Sequence, residues 1–145
     1  MTQIEIETKV TELKNIYSDR RRDLIAHFTP KIEECQKAIK ELKIKYDEIH
    51  IELHRQYSDL VLQDSELNRK GLAHYSQERE AVQTKMREIK IQLKEERTKY
   101  ETADLELATT LKKVKQELQN NLFNNARMRN KAKEELWSHY EKKLN

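Results

Sequence analysis

Helix-breaking residues are almost absent from this chain. Its 145 residues include one glycine, Gly71, and one proline, Pro30. Turns and strands ordinarily depend on glycine, proline and β-branched runs. Glu, Lys, Leu, Gln and Arg dominate instead, and all five favour helices. The sequence therefore predicts an all-α fold with two points of interruption.

Apolar residues recur in a heptad pattern from residue 32 onward. Steps of three and four alternate over five repeats, with Gln56 and Gln63 at two core positions. Such a stripe indicates a helix that buries one face against another helix. Disorder is the competing interpretation of a chain with 38% charged residues, but the net charge is only +3. The apolar members are Ile32, Cys35, Ile39, Leu42, Tyr46, Ile49, Leu53, Leu60 and Leu67.

A second register follows in the other half of the chain. It places Glu96 at a core position and contains a four-residue step from Leu107 to Leu111, a stutter that locally unwinds a supercoil. Steps of four continue to Leu144, where Phe123 and Trp137 are expected to widen the apolar face. The other members are Val82, Met86, Ile89, Leu93, Tyr100, Ala103, Val114, Leu118, Leu122, Ala132, Leu136 and Tyr140.

An earlier apolar register runs from Ile6 to Leu24, and it is offset by one residue from the register that begins at Ile32. Pro30 lies between the two. Thr29 is a suitable N-cap and proline is favoured at the first helical position. A proline also disfavours helical geometry in the residue before it. We therefore expect a helix break or kink at 29–30, with the chain keeping its general direction. The alternatives are a proline-induced kink within one continuous helix and a full reversal of the chain.

Gly71 gives the better signal for a reversal of the chain. It follows Arg69 and Lys70, which suit a helix C-terminus, and glycine is the preferred residue just beyond one. Ser76 then offers an N-cap for the next helix. A hairpin folded here would pair residues whose numbers add up to roughly 143. The rival is a parallel dimer of one straight helix, because an interior glycine costs only about 1 kcal/mol.

These features predict one elongated antiparallel coiled-coil domain, 1–145. Arm 1 covers 1–70 with its break at 29–30, the tip covers 68–76, and arm 2 covers 76–145. The tip carries a group of apolar and basic residues outside the heptad stripe that either close it or present it to a partner. These tip candidates are Val61, Leu62, Arg69, Lys70, Leu72 and Tyr75.

Basic residues concentrate at the other end of the expected hairpin. Between residues 112 and 133 the only acid is Glu117, and a register near 143 brings Arg20, Arg21 and Arg22 beside this region. One patch would then face an anionic partner such as nucleic acid, an acidic protein or a membrane surface. A solvated helix face is the alternative. The remaining candidates are Lys112, Lys113, Lys115, Arg127, Arg129, Lys131 and Lys133.

Nothing in the sequence points to catalysis or to a cofactor. His50 and His54 lie one helical turn apart, but the metalloprotease pattern requires Glu at position 51, which is Ile. Cys35 occupies a core position, where cysteine behaves as a small hydrophobe. Thin helical hairpins offer acid pairs no water-excluding pocket. We therefore expect no catalytic, cofactor or metal site.

The sequence favours a non-enzymatic coiled-coil scaffold or adaptor that binds a protein partner or a second copy of itself. The alternative is a nucleic-acid or anionic membrane-surface binder acting through residues 20–22 and 112–133. The N-terminus lacks the basic start and apolar core of a signal peptide, and no stretch has the ~18 apolar residues of a membrane span. With one cysteine, the chain is expected in a reducing compartment, cytoplasmic or nuclear.

Overall fold

Two long helices make up the fold. The computed structural model describes residues 2–144, except for the side chains of residues 72–75 and 144. Helix α1 spans Gln3–Lys70 and helix α2 spans Leu72–Leu144. They pack against each other as an all-α helical hairpin, which confirms the predicted fold class.

A single residue links the helices. Gly71 has a φ of +104°, a backbone conformation that side chains with a Cβ atom rarely adopt. The reversal therefore occurs where the sequence predicts it. The turn is tighter than expected, because α2 begins at Leu72 rather than after Ser76.

At the other end, Thr2 caps the start of α1. Its hydroxyl oxygen accepts a hydrogen bond from the backbone N–H of Glu5 at 3.2 Å, and its carbonyl oxygen accepts one from Ile6 at 3.1 Å. A threonine hydroxyl at this position satisfies one of the donors that the first turn of a helix leaves unpaired. The local sequence thus fixes where α1 begins.

The predicted break at Pro30 does not occur. Helix α1 is continuous through residues 29–30, so the alternative of a proline within one helix is correct. Thr29 does not act as an N-cap: its hydroxyl donates to the carbonyl oxygen of Ile25 at 2.6 Å, one turn back in the same helix. Phe28 is buried beside it, and its packing helps offset the roughly 3 kcal/mol that an interior proline costs.

The tertiary contacts divide into two compact units. Unit 1 comprises residues 1–36 and 109–145, and unit 2 comprises residues 37–108. In unit 1, Ile6, Val10 and Phe28 are buried. The amide of Asn125 joins the two helices by donating from Nδ2 to the carbonyl oxygen of Tyr17 at 2.9 Å.

In unit 2, polar and aromatic contacts join the helices. Arg79 Nε lies 2.8 Å from Asp64 Oδ1, and the rings of Tyr46 and Tyr100 stack at 4.4 Å. Among the described side chains of this unit, Ile89 is the buried apolar one. The residue numbers of these two contacts add up to 143 and 146, close to the predicted register.

Most of the predicted heptad positions are half-buried rather than buried. A residue in the seam of two helices is covered by one partner helix, whereas solvent reaches it from both sides of the seam. Phe123 departs from the prediction altogether. Its side chain is 69% exposed, so it does not widen the apolar face, although Trp137 is half-buried and packs edge-on against Tyr140.

Candidate binding surfaces

Two clefts flank the helix seam within unit 1, on opposite sides of it. Both are lined by residues of α1 and α2 at spacings of three, four and seven. Residues at these spacings share one side of a helix. Both clefts lie between the same two helices, so the side chains that line each cleft distinguish one from the other.

The first cleft is basic. It has a volume of about 550 Å³, and its lining includes Lys14 and Arg21 from α1 and Arg129 and Lys133 from α2, with no acidic residue. None of these four cations forms an ion pair with a described side chain. Tyr17, Ser18, Leu122, Asn125, Ala126 and Asn130 complete the lining.

Two asparagine side chains form hydrogen bonds in this cleft. Arg129 donates from Nε and Nη2 to Asn130 Oδ1 at 3.4 and 3.3 Å, which orients the guanidinium group. The Asn125 amide is held by the Tyr17 carbonyl on the facing helix. A polar residue at a coiled-coil core position fixes the register of the two helices. Asn125 therefore keeps the cations of α1 and α2 at one level.

The basic cleft continues onto the outer side of α2. Ala126 and Asn130 line both this cleft and a second depression, whose other lining residues are Phe123, Arg127, Lys131 and Glu134. We call the combined area the basic surface. It holds six cations and one acid around an exposed phenylalanine ring, and the cations are Lys14, Arg21, Arg127, Arg129, Lys131 and Lys133.

The three arginines of α1 that the sequence placed in one patch, Arg20 to Arg22, lie in different surroundings. Arg21 joins the basic cleft. Arg20 lies with its guanidinium carbon 4.9 Å from the centre of the Tyr17 ring and lines the opposite side of the seam. Arg22 is paired with Asp19 at 3.6 Å and with Asp23 at 3.9 Å. Successive helical residues point in different directions, so a run of three arginines cannot face one ligand.

The lysines at 112, 113 and 115 are exposed but line neither depression of the basic surface. Lys115 precedes Leu122 of the basic cleft by seven residues, and Lys112 precedes Ala126 by fourteen. Both therefore extend the same side of α2. Sequence reasoning missed Lys14 and Asn130. Lys14 could have been found, because it lies seven residues before Arg21.

The second cleft is the apolar groove. It consists of two depressions on successive turns, and Asn121, Asn124, Asn125 and His139 are among their lining residues. The apolar lining residues are Leu13, Ile16 and Leu24 of α1 and Met128, Ala132 and Leu136 of α2. Ile16 is 47% exposed and Met128 is 53% exposed. Charges of both signs border the groove: Lys9, Glu12, Arg20, Asp23 and Glu135.

The tip candidates belong to unit 2. Val61 and Leu62 are exposed, as are Arg69 and Lys70. The candidates Leu72 and Tyr75 lie outside the described side chains. Near the tip, Arg79 donates to Asn68 Oδ1 as well as to Asp64, and Gln83 also donates to Asp64. This network ties α1 to α2 beside the turn.

Three groups in unit 2 have shifted pKa values. Hydrogen bonds from Arg55 and then Gln56 lower the pKa of Glu52 to about 2, and the same contact with Glu52 raises the pKa of Arg55. Burial raises the pKa of the Tyr100 hydroxyl, with a further contribution from the charges of Asp104 and Asp47. Contacts within α1 explain the pKa shifts of Glu52 and Arg55, whereas the pKa shift of Tyr100 comes first from its burial.

Histidine and cysteine side chains are also placed. The rings of His50 and His54 lie 4.4 Å apart, and Cys35 is half-buried with a free thiol. Within the described residues, no group of three or more His, Cys, Asp and Glu side chains is arranged to hold a metal ion. No described helix has the length and apolarity needed to cross a membrane.

Comparison with known proteins identifies no relative. No family model, no curated protein and no solved structure matches this chain.

Proposed function

We propose that this protein is a non-enzymatic helical-hairpin adaptor that binds an amphipathic helix of a partner protein in the apolar groove of unit 1. The observation that carries the proposal is the exposure of Ile16 and Met128 on one side of a seam that buries Ile6, Val10 and Phe28. Exposed apolar side chains along a groove with a polar border are typical of interaction sites.

The shape of the groove fits a helix. On α1 its lining residues include positions 9, 12, 13 and 16, and on α2 they include 132, 135, 136 and 139. Each set repeats at i, i+3, i+4 and i+7, so both helices present a continuous side to the same groove. A third helix laid there would insert its apolar residues between them, as in helix-in-groove recognition.

The bordering charges select the partner. Lys9 and Arg20 alternate with Glu12, Asp23 and Glu135 along the groove, so neither sign dominates. An amphipathic helix with mixed charges beside its apolar stripe would form favourable pairs, and a helix of one sign would meet repulsion. The groove therefore fits a protein helix better than a polyanion.

Site-specific photo-crosslinking in the native cell tests this proposal. A photoreactive amino acid is placed at Ile16 or Met128, with Gln116 as an exposed control position in the same unit. We expect one protein adduct shared by both groove positions and absent from the control. An adduct of twice 17.5 kDa would identify a second copy as the occupant and overturn the proposed partner. Equal labelling at Gln116 would exclude the groove.

A further inference from the structure

We infer that the basic surface of unit 1 binds single-stranded nucleic acid, an activity beyond the proposed adaptor function. The two proposals use opposite sides of the helix seam, so either can fail alone. The inference rests on the charge, the curvature and the exposed aromatic ring of this surface.

Charge is the first argument. Lys14, Arg21, Arg129 and Lys133 converge from two helices on one cleft without acidic partners. Unpaired cations brought together by a fold repel each other, and an anionic ligand relieves that repulsion. Each backbone phosphate neutralised by such a side chain also releases condensed counterions, which favours binding at low salt.

Curvature distinguishes the possible anionic ligands. The surface starts in the concave cleft and passes over Ala126 and Asn130 to Phe123 on the outer side of α2. A flat bilayer would contact the exposed ends of Lys14, Arg21 and Arg129 but not the half-buried groups of the cleft, Leu122 and Asn125. A rigid acidic helix lying in the cleft would not reach Phe123. A flexible single strand can follow both parts of the surface.

The exposed ring supplies the second kind of contact. Phe123 is 69% exposed, and Arg127 follows it by one helical turn. An aromatic ring beside phosphate-binding cations offers a stacking platform for a base, whichever base it is. Ser18 and Asn130 add neutral polar groups at the same surface. From Phe123 to Lys133 the helix extends about 15 Å, enough for a few nucleotides.

Fluorescence anisotropy with a labelled oligothymidylate of about 20 nucleotides, a length that exceeds most single sites, tests the inference. The wild-type protein is expected to bind it, with affinity falling as salt is added. Reversing two charges in Arg129→Glu/Lys133→Glu should lower the slope of log affinity against log salt by about 1.4, from two lost phosphate contacts. Phe123→Ala should weaken binding about tenfold and leave the slope unchanged.

A matched control separates the site from overall charge. Lys40→Glu/Lys45→Glu makes the same change in net charge at exposed positions of unit 2 and should bind like the wild type at a given salt concentration. If this control loses as much affinity as the Arg129/Lys133 variant, the basic surface is not the site. Circular dichroism of each variant confirms that the helices persist.

Two further probes decide the ligand class. Poly-glutamate of matched charge carries no bases, and vesicles containing phosphatidylserine present a flat anionic surface. Binding of either one as tightly as the oligothymidylate would overturn the inference. So would wild-type affinity of Phe123→Ala for the oligothymidylate, or no binding of the oligothymidylate at low ionic strength.

Discussion

Units 1 and 2 join the same two helices by different kinds of contact. Unit 1 buries Ile6, Val10 and Phe28 and adds one amide hydrogen bond, from Asn125 to Tyr17. Unit 2 buries Ile89 and relies on the Asp64–Arg79 ion pair and the Tyr46–Tyr100 stack. Apolar burial is non-directional, whereas ion pairs and stacked rings are specific in geometry.

Charge differs between the units as well. Unit 1 carries 15 basic and 11 acidic side chains, whereas unit 2 carries 14 and 15. In unit 2 much of the charge is balanced locally: Arg55, for example, contacts both Glu52 and Asp59 on its own helix. In unit 1, four of the excess basic side chains line one cleft. A heptad seam leaves the helix flanks free to differ, and the flanks of unit 1 carry the two clefts on which both proposals rest.

Removing the buried ring of unit 1 should have the largest effect. Phe28→Ala deletes a nearly fully buried side chain and leaves a cavity beside Pro30, so we expect a loss of about 3 kcal/mol in the free energy of unfolding. Ile89→Ala, the matched change in unit 2, removes a smaller side chain and should cost about 2 kcal/mol. Urea denaturation measures both. A larger loss at Ile89 would show that unit 2 depends more on apolar burial than unit 1.

The ion pair of unit 2 should have a smaller but specific effect. Asp64 and Arg79 are about one-fifth to one-quarter exposed and join different helices. A double-mutant cycle of Asp64→Ala and Arg79→Ala should give a coupling of about 1 kcal/mol. The exposed Arg55–Asp59 pair lies within one helix, so the same cycle there should give no resolvable coupling. Equal couplings would contradict the idea that cross-helix polar contacts hold unit 2 together.

The sequence predicted the hairpin because its strongest signals are local. Gly71 is the chain's single glycine, the residue type that adopts a left-handed conformation without strain, and heptad spacing follows from helix geometry alone. The predicted register of about 143 agrees with the Asp64–Arg79 and Tyr17–Asn125 contacts, whose numbers add up to 143 and 142.

What the sequence did not predict depends on tertiary packing. Pro30 has strong local signals for a helix start, yet α1 continues through it, with the buried Phe28 two residues before it. The basic patch was placed in the right region, yet only Arg21 of the three α1 arginines reaches the cleft. Lys14 and Phe123 belong to the basic surface because of the side of the helix on which each of them lies. A list of charged residues does not contain that information.

The smallest expected effect on stability concerns Glu52. Its pKa shift is large, but its interactions should contribute little to the free energy of unfolding. Its pKa of about 2 comes first from Arg55 and second from Gln56, both on the same exposed helix face. Because the folded pKa lies below the ordinary value of 4.5, the interaction favours the folded state above pH 4.5 and is lost as the pH falls toward 2.

Carbon-detected NMR titration of the Glu52 carboxyl group measures this directly. Arg55→Ala should raise the midpoint most of the way to 4.5, and Gln56→Ala should raise it less, in the order of their contributions. The urea midpoint at neutral pH should barely move in either variant, because solvent and salt screen an exposed pair within one helix. A clear loss of stability in Arg55→Ala would mean that unit 2 draws stability from its local charge pairs as well as from its cross-helix contacts. Unit 2 would then not be held together by its interhelical contacts alone, and charge pairs on its solvated flanks would contribute as well.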